Sequence, residues 1–291
     1  MILAATDSPT VNYAGGGSTA TRTLRRRYSE LHVMQTLTTS MSGSIQTVSL
    51  NRPETRNAFD ELMIGELRET FASVADSTRV VVLTGAGRVF CAGADVNWMR
   101  DSVQRSETDN RRDAARMEAM FRGIDECPCP VVGRINGSAL GGGMGLVACC
   151  DIAVAVETAQ FGYTEVRLGI VPAVISPYSL AKIGGDSARR FFLTGELFDA
   201  MRAREIGLVH DVVAANNLDA AVDQIVEMLS KNGPKAVRAA KQLIREVGRM
   251  DRDDAREHTI AAIARMRTSH EGQEGLSAFL EKRRPAWIDA Q

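Results

Sequence analysis

One stretch of the chain constrains its fold more than any other: residues 135–145, which read INGSALGGGMG. An apolar strand end runs here through a cluster of glycines into the start of a helix. Adjacent glycines let other atoms approach the main chain closely, and the first N–H groups of a helix have no partner inside it. A second glycine loop, residues 90–95 (FCAGAD), follows another apolar run. Either loop alone is most simply a tight turn between a strand and a helix. Together the two loops can share one oxyanion, whose developing negative charge their backbone N–H groups would stabilise.

Apolar periodicity indicates an α/β fold. Residues 79–84, 130–135 and 151–156 are short apolar runs, as expected for buried strands. Amphipathic helices lie between them, one with Leu67 and Phe71 on its inner face and one whose apolar stripe is Met117, Met120, Phe121 and Ile124. Strands that alternate with helices are typical of α/β domains. We interpret the methionines of the stripe as core residues.

The two ends of the chain differ from this middle part. Residues 1–33 are rich in glycine, serine, threonine and arginine without a sustained apolar period, which predicts disorder. The alternatives for this extension are a transit-type leader and a start codon upstream of Met34. Residues 34–217 are then the α/β core. From about Leu218 to residue 291 the strands stop, and an apolar helix face (Val222, Ile225, Val226, Leu229) predicts a separate helical region.

Composition excludes several classes of protein. A chain of 291 residues with 44% hydrophobic and 24% charged residues can bury a large core, and no apolar run is long enough to predict a membrane span. The formal net charge of −1 gives no global attraction to nucleic acid. The five cysteines lack zinc-site spacing, so we expect buried reduced thiols and no metal. This favours a cytoplasmic protein, or a mitochondrial matrix protein if the extension is a transit peptide.

Three other functions fit the sequence less well than an oxyanion site. The segment TGAG at 84–87 lacks the third glycine and the acidic residue of a dinucleotide-binding fingerprint. In GSALG at 137–141 the serine stands one place too early for a nucleophile elbow, and no histidine is positioned by a motif. An RNA-binding protein that uses Arg22 to Arg27 is a further alternative, although no RNP-type aromatic motif is present, so nucleic acid is not the expected partner.

Several sequence words occur in the order and at the spacing of one enzyme family. They are NRPETRNAF at 51–59, FCAGADVNWMR at 90–100, INGSALGGGMGLVACCDIAVA at 135–155, FGYTEVRLGIVP at 161–172, LTGELFDAMRAREIGLVHDVV at 193–213 and AFLEKRRPAW at 278–287. From about Leu37 to Trp287 the chain resembles the enoyl-CoA hydratase/isomerase (crotonase) family. The resemblance implies a crotonase-like spiral of ββα repeats with a C-terminal helical oligomerisation unit, assembled as a trimer or as a hexamer of two trimers.

The resemblance also implies roles for individual residues. The backbone N–H groups of Ala94 and Gly142 would bind the thioester oxygen, and Glu165 would be the catalytic acid–base, because a buried carboxylate can take and return a proton near neutral pH. Positions expected to contact the coenzyme A part of the substrate are Arg56, Ala92, Asp95, Phe279 and Lys282, the last two often from a neighbouring subunit. Beyond the coenzyme A of the acyl-CoA substrate, no cofactor is implied.

Gly145 departs from the family pattern, in which many hydratases carry a second catalytic glutamate at this place. One carboxylate suffices for moving a double bond, and it suffices for hydration if Glu165 holds the water. We expect Gly145 to leave space one turn beyond Gly142, so that the helix would accept Gly145→Glu.

Details of the same words resemble one branch of the family. NWM after CAGAD, GLVACCDIA after GGG, and EVRLGIVPAVISPY are similar to methylglutaconyl-CoA and geranoyl-type CoA hydratases. The resemblance favours hydration of an α,β-unsaturated, methylglutaconyl-CoA-like thioester in branched-chain amino acid or fatty acid catabolism. An enoyl-CoA isomerase with a single glutamate is the alternative.

Overall fold

The structure is a computed structural model that describes residues 31–289. Strands in these residues form two sheets. In chain order they are β1 (Leu31–Val33), β2 (Leu37–Ser42), β3 (Ile45–Leu50), β4 (Val80–Gly85), β5 (Val131–Ile135), β6 (Ala139–Leu140), β7 (Ile152–Val156), β8 (Gln160–Gly162), β9 (Phe198–Asp199) and β10 (Asp211–Val213). The helices are α1 (Glu61–Ala72), α2 (Val96–Ser102), α3 (Glu107–Asp125), α4 (Gly142–Cys149), α5 (Ser176–Thr194), α6 (Ala200–Glu205), α7 (Leu218–Lys231), α8 (Pro234–Val247), α9 (Arg252–Thr268), α10 (His270–Leu280) and α11 (Ala286–Asp289).

The larger sheet has the order β1-β2-β3-β4-β5-β7-β10. Its first three strands pair antiparallel, and β3, β4, β5, β7 and β10 run parallel. The smaller sheet has the order β6-β8-β9. Strands β4, β5 and β7 coincide with the three apolar runs of the sequence, since parallel strands are buried on both faces. The predicted α/β fold is confirmed.

Several helices pack on one another, and their contacts bury α4, which begins in the glycine-rich segment 135–145. Helix α1 packs on α3, α3 on α4, and α4 on α5. All residues of α4 after Gly142 are buried, which suits a helix that is apolar on every side. Met120, Phe121 and Ile124 of the α3 stripe are buried in the core as predicted. Met117 differs from the prediction, because it is only partly buried and lines a cavity.

One predicted boundary and the predicted separateness of the helical region differ from the structure. Residues 31–33 form β1, which pairs with β2 through His32↔Thr39 and its neighbours, so regular structure is present before Met34. The rest of the predicted N-terminal extension lies outside the described residues. The C-terminal helices begin at Leu218 as expected, but α7 is not separate from the core. It packs on β4, β5 and β7, and its apolar face, including Val222 and Ile225, joins the main hydrophobic cluster.

The five cysteines are free and buried, as predicted. Burial raises the pKa of the Cys91 thiol to about 12 because the charged thiolate loses its hydration, so this group is not an activated nucleophile. Between residues 31 and 289, none of the helices combines the length and apolar character required to span a membrane.

Candidate active site

Two glycine loops meet where α4 begins. The Phe59 N–H donates to the Gly93 carbonyl over 2.8 Å, and the Asp95 N–H donates to the Phe59 carbonyl over 2.9 Å. The intervening Ala94 N–H therefore faces away from Phe59. Gly93 has a φ of 92°, and a Cβ added there would lie 2.7 Å from the Leu140 oxygen and 3.2 Å from the Gly142 nitrogen. This close approach brings the two predicted oxyanion loops side by side.

The two N–H groups expected to bind an oxyanion are available in this arrangement. Gly142 is the first residue of α4, where the helix offers its N–H no internal acceptor. Within residues 31–289, neither the Ala94 nor the Gly142 N–H donates to a backbone or side-chain acceptor. The Phe59 ring lies against Gly142, since an added Cβ would come within 2.3 Å of its Cζ atom and only glycine fits. The site can thus present two fixed donors to one oxygen.

Two polar side chains, Asn57 and Arg52, hold the segments that flank the Ala94 loop. The buried Asn57 has a φ of 55°, and its amide Nδ2 donates to the carbonyls of Ala86 and Val89, each over 2.8 Å. Arg52 bridges the carboxylates of Asp60 and Asp95, at 3.0 Å from each. From the sequence alone, no role could be assigned to Arg52 or Asn57. Their only signal in the sequence was the segment NRPETRNAF at 51–59. It indicates no role for them, because their partners lie in segments that are distant in the sequence.

Glu165 stands beside the glycine cluster. It begins a 3-10 turn, and its Oε1 atom would lie 3.6 Å from a Cβ added at Gly141. Its Oε2 atom is buried, and no hydrogen-bond partner for it occurs in the part of the chain that the structure describes. Burial raises the pKa of this carboxyl because desolvation disfavours its charged form. A carboxyl with one unpartnered oxygen and a raised pKa is suited to transferring protons.

A cavity of about 270 Å³ connects these groups. Ala92, Ala94, Gly142 and Glu165 all line it. Its other walls are mainly apolar, from Phe59, Trp98, Met99, Ala114, Met117, Phe121, Leu168, Ile170, Val171, Pro172, Val174 and Ile175. Glu165 and Asp113 are acidic lining residues, and no lysine, arginine or histidine of the described chain lines the cavity. The cavity is therefore shaped for an uncharged chain that passes the oxyanion site.

Of the residues expected to contact coenzyme A, some lie at the cavity and others do not. The exposed Arg56 does not line the cavity, but its carbonyl accepts from the Ala92 N–H over 3.0 Å and anchors that loop. The Asp95 carboxylate pairs with Arg52 and caps α2, so only the main chain at this position is free to face a ligand. Phe279, which is 81% exposed, and Lys282 belong to the C-terminal part and do not line the cavity of this chain. Their role toward a neighbouring subunit stays a prediction.

The expectation that Gly145 leaves open space is wrong. A Cβ at this position would lie 2.4 Å from Ile175 Cγ2 and 2.7 Å from Phe121 Cε1. The Phe121 ring also packs edge-on against Phe59, at 6.3 Å between ring centroids. Two fully packed side chains occupy the place of the second glutamate, so a glutamate cannot enter here without displacing them.

Comparison with known proteins agrees with this geometry. The sequence model of the enoyl-CoA hydratase/isomerase family matches residues 40–290. The chain belongs to this family. It is 32% identical over 258 residues to the 2,3-dehydroadipyl-CoA hydratase of Escherichia coli, covering 87% of this chain and 98% of that protein. It is 33% identical over 243 residues to the crotonyl-CoA hydratase of Syntrophomonas wolfei, covering 82% and 92%.

Solved structures support the same assignment. The crystal structure of an enoyl-CoA hydratase from Shewanella pealeana matches with a TM-score of 0.82 and 39% identity, over 87% of this chain and 96% of that one. The crotonase-like fold with its C-terminal helical region is thereby confirmed. As a member of this family the chain is an acyl-CoA enzyme of the hydratase type.

Proposed function

We propose that this protein hydrates the double bond of α,β-unsaturated acyl-CoA thioesters whose acyl chain is uncharged. Glu165 is the carboxylate that takes a proton from water and returns it to the substrate. The observation that carries the proposal is the joint position of three groups in one cavity. They are the Ala94 and Gly142 N–H groups and the Glu165 Oε2 atom, none of which has a hydrogen-bond partner among the described residues. The thioester oxygen accepts from the two N–H groups, which stabilise the enolate more than the ground state.

The reaction follows from this placement with one carboxylate. Glu165 removes a proton from a water molecule whose oxygen bonds to Cβ, and the electrons of the double bond move onto the thioester oxygen. As the enolate collapses, Glu165 returns its proton to Cα. One molecule of water is added in total, and Glu165 is regenerated. A carboxyl whose pKa is raised by burial fits both halves of this exchange.

The walls of the cavity favour uncharged acyl chains. A carboxylate on the acyl chain would enter a cavity with two acidic side chains, Glu165 and Asp113, and no cationic lining residue in the described chain. Transfer of an unpaired charge into such a site is costly. The methylglutaconyl-CoA-like substrate suggested by the sequence carries a carboxylate, and it stays a prediction that we include in the test.

Isomerisation is the second candidate. The observation that favours it is the packing of Phe121 and Ile175 against Gly145, which removes the place of a second acid. A 1,3-shift of a double bond needs only one group that takes a proton from one carbon and returns it to another.

A mass measurement in heavy-oxygen water tests the proposal. The enzyme is incubated with 2-enoyl-CoAs with alkyl chains, with 3-enoyl-CoAs and with methylglutaconyl-CoA. Hydration predicts a product that gains one labelled water from the alkyl 2-enoyl-CoAs. An unchanged mass with a moved double bond establishes the isomerase, and a labelled product from methylglutaconyl-CoA alone would contradict the preference for uncharged chains.

We also propose that the chain acts as a homo-oligomer, a trimer or hexamer. Large apolar side chains on the C-terminal helices are exposed in the single chain: Ile244, Ile260, Ile263, Leu276, Phe279 and Leu280. Exposed apolar surface of this kind marks interfaces between proteins. Sedimentation analysis at several protein concentrations tests this, and a monomer throughout would overturn it.

A further inference from the structure

The acyl cavity has a polar end that the catalytic chemistry does not use. Asp113 lines the cavity although it is 9% exposed and carries a charge. It lies on α3, on the same helix face as Met117 and Phe121, which line the cavity too. Phe121 contacts the Gly145 position beside the reaction centre, and Asp113 lies two turns further along. With a rise of about 1.5 Å per residue, the two positions are separated by about 12 Å along the helix.

The charge of Asp113 is fixed by arginines behind the cavity wall. Its Oδ2 atom is hydrogen-bonded to Arg105, and its Oδ1 atom lies 3.7 Å from Nη1 of Arg116, beyond hydrogen-bond length. Neither arginine lines the acyl cavity; both face an adjoining polar cleft that Asp113 also borders. The cavity thus meets a carboxylate and not its cations. An ionised carboxylate has about four acceptor positions and no donor, so Asp113 retains capacity for a further donor.

We propose that Asp113 is a specificity-determining residue that selects acyl chains ending in a hydroxyl group, a conclusion that rests on the function proposed above. The chain passes the apolar walls of Met117 and Met99, and its terminal hydroxyl donates a hydrogen bond to Asp113. The span of about 12 Å along α3 corresponds to roughly ten bonds of an extended chain, so the fitting substrate has about eight to ten carbons.

Three chain ends give different interactions at this wall. A hydroxyl donates to the Asp113 carboxylate, and a methyl group makes no hydrogen bond with it. A terminal carboxylate can only accept, so it loses its hydration without gaining a hydrogen bond from Asp113. Hydrogen bonds to charged groups contribute enough to change a rate constant by about tenfold to a hundredfold. The order of kcat/KM is therefore hydroxyl first, methyl second and carboxylate last.

The test compares 2-enoyl-CoAs of equal length that end in hydroxyl, methyl or carboxylate. Wild-type enzyme is expected to prefer the hydroxyl end over the methyl end by about tenfold to a hundredfold in kcat/KM. Asp113→Asn removes the charge at constant size, so the carboxylate-ended chain gains relative to the others. Asp113→Leu reverses the preference toward the methyl end. Because the kcat/KM values for the three chain ends are compared within one variant, a general loss of folded enzyme does not affect their ratios.

Asp109→Asn is the matched control. Asp109 borders the adjoining cleft but not the acyl cavity, and it pairs with Arg112 at 3.2 Å. This variant keeps the wild-type order of chain ends. A wild-type enzyme that uses the methyl or carboxylate end at least as well as the hydroxyl end overturns the inference, as does a hydroxyl preference that survives in Asp113→Leu.

Binding measurements separate this inference from the proposed function. Saturated acyl-CoAs with the same three ends cannot be hydrated, and their affinities are measured by calorimetry on the wild type and the three variants. If no enoyl-CoA is turned over but the hydroxyl-ended analogue binds tighter in an Asp113-dependent way, the proposed reaction fails and the specificity stands. Turnover with equal rates and equal affinities for all ends refutes the specificity alone.

Discussion

Replacing Gly145 by alanine tests how the place of the second glutamate is filled. The added methyl carbon would lie 2.4 Å from Ile175 Cγ2 and 2.7 and 2.9 Å from two Phe121 ring carbons. Carbon atoms in contact normally lie about 3.5–4.0 Å apart, so all three neighbours must move. Overpacking by one methylene group costs about 1–3 kcal/mol, and three simultaneous contacts favour the upper part of this range. The gain in helix propensity, about 1 kcal/mol, offsets part of it.

The expected net cost is about 2 kcal/mol, which corresponds to a fall of roughly 4–8 °C in Tm. Thermal unfolding followed by circular dichroism at fixed protein concentration measures it. The matched control is Gly123→Ala on α3, where an added Cβ meets no atom within 4 Å, so the propensity gain appears alone and Tm rises.

A second substitution identifies the neighbour responsible. Ile175→Ala removes Cγ2 and costs about 2–5 kcal/mol by itself. In the double variant with Gly145→Ala the new methyl group occupies the vacated volume, so the two costs do not add and the coupling is about 0.5–3 kcal/mol in the stabilising direction. A Gly145→Ala protein as stable as Gly123→Ala, or strictly additive costs, would refute the assigned packing.

Three further outcomes follow from the site. Because Glu165 must accept a proton and burial raises its pKa, kcat/KM falls as the pH drops through that raised value; an acid limb at the pH of an ordinary glutamate would contradict this assignment. Because the pKa of Glu165 is raised on folding, its carboxyl destabilises the folded protein progressively as the pH rises above the unfolded value of about 4.5, and the penalty is complete above the raised folded value; Glu165→Gln therefore gains Tm relative to the wild type at neutral and alkaline pH and loses this gain below about pH 4.5, and a pH-independent difference in thermal scans would count against it. Gly93→Ala adds a side chain at a φ of 92° and 2.7 Å from the Leu140 oxygen, so we expect the free energy of unfolding to fall by about 1 kcal/mol or more and kcat to fall as well. An active variant with unchanged stability would show that the loop is not constrained.

The sequence predicted those parts of the fold that depend on local pattern. The strands β4, β5 and β7 follow from continuous apolar runs, and the core face of α3 follows from its helical period. The glycine loops could be recognised as a backbone site because their chemistry lies in consecutive residues. Their mutual contact at Gly93 and Gly142 followed only from the family resemblance, and the geometry now gives it a physical basis.

Features that depend on contacts between distant segments could not be predicted in this way. Gly145 looked like open space in the sequence because nothing in α4 shows that Phe121 and Ile175 converge on it. Helix α7 looked separate because its amphipathic face does not indicate whether a sheet or another subunit covers it, and in the structure the sheet does. In the sequence Asp113 resembles an ordinary helix charge, and only the structure shows that it lines the cavity.

The central claim is that Glu165 alone transfers the protons while two backbone N–H groups hold the thioester oxygen. The most direct measurement is the turnover of an alkyl 2-enoyl-CoA by Glu165→Gln, with the affinity for a saturated acyl-CoA measured in the same preparation. The amide keeps the shape of the side chain and cannot exchange protons. We predict a fall of about 10²–10⁴-fold in kcat with little change in affinity. Turnover within about tenfold of the wild type would contradict the account, because proton transfer would then have to come from another group.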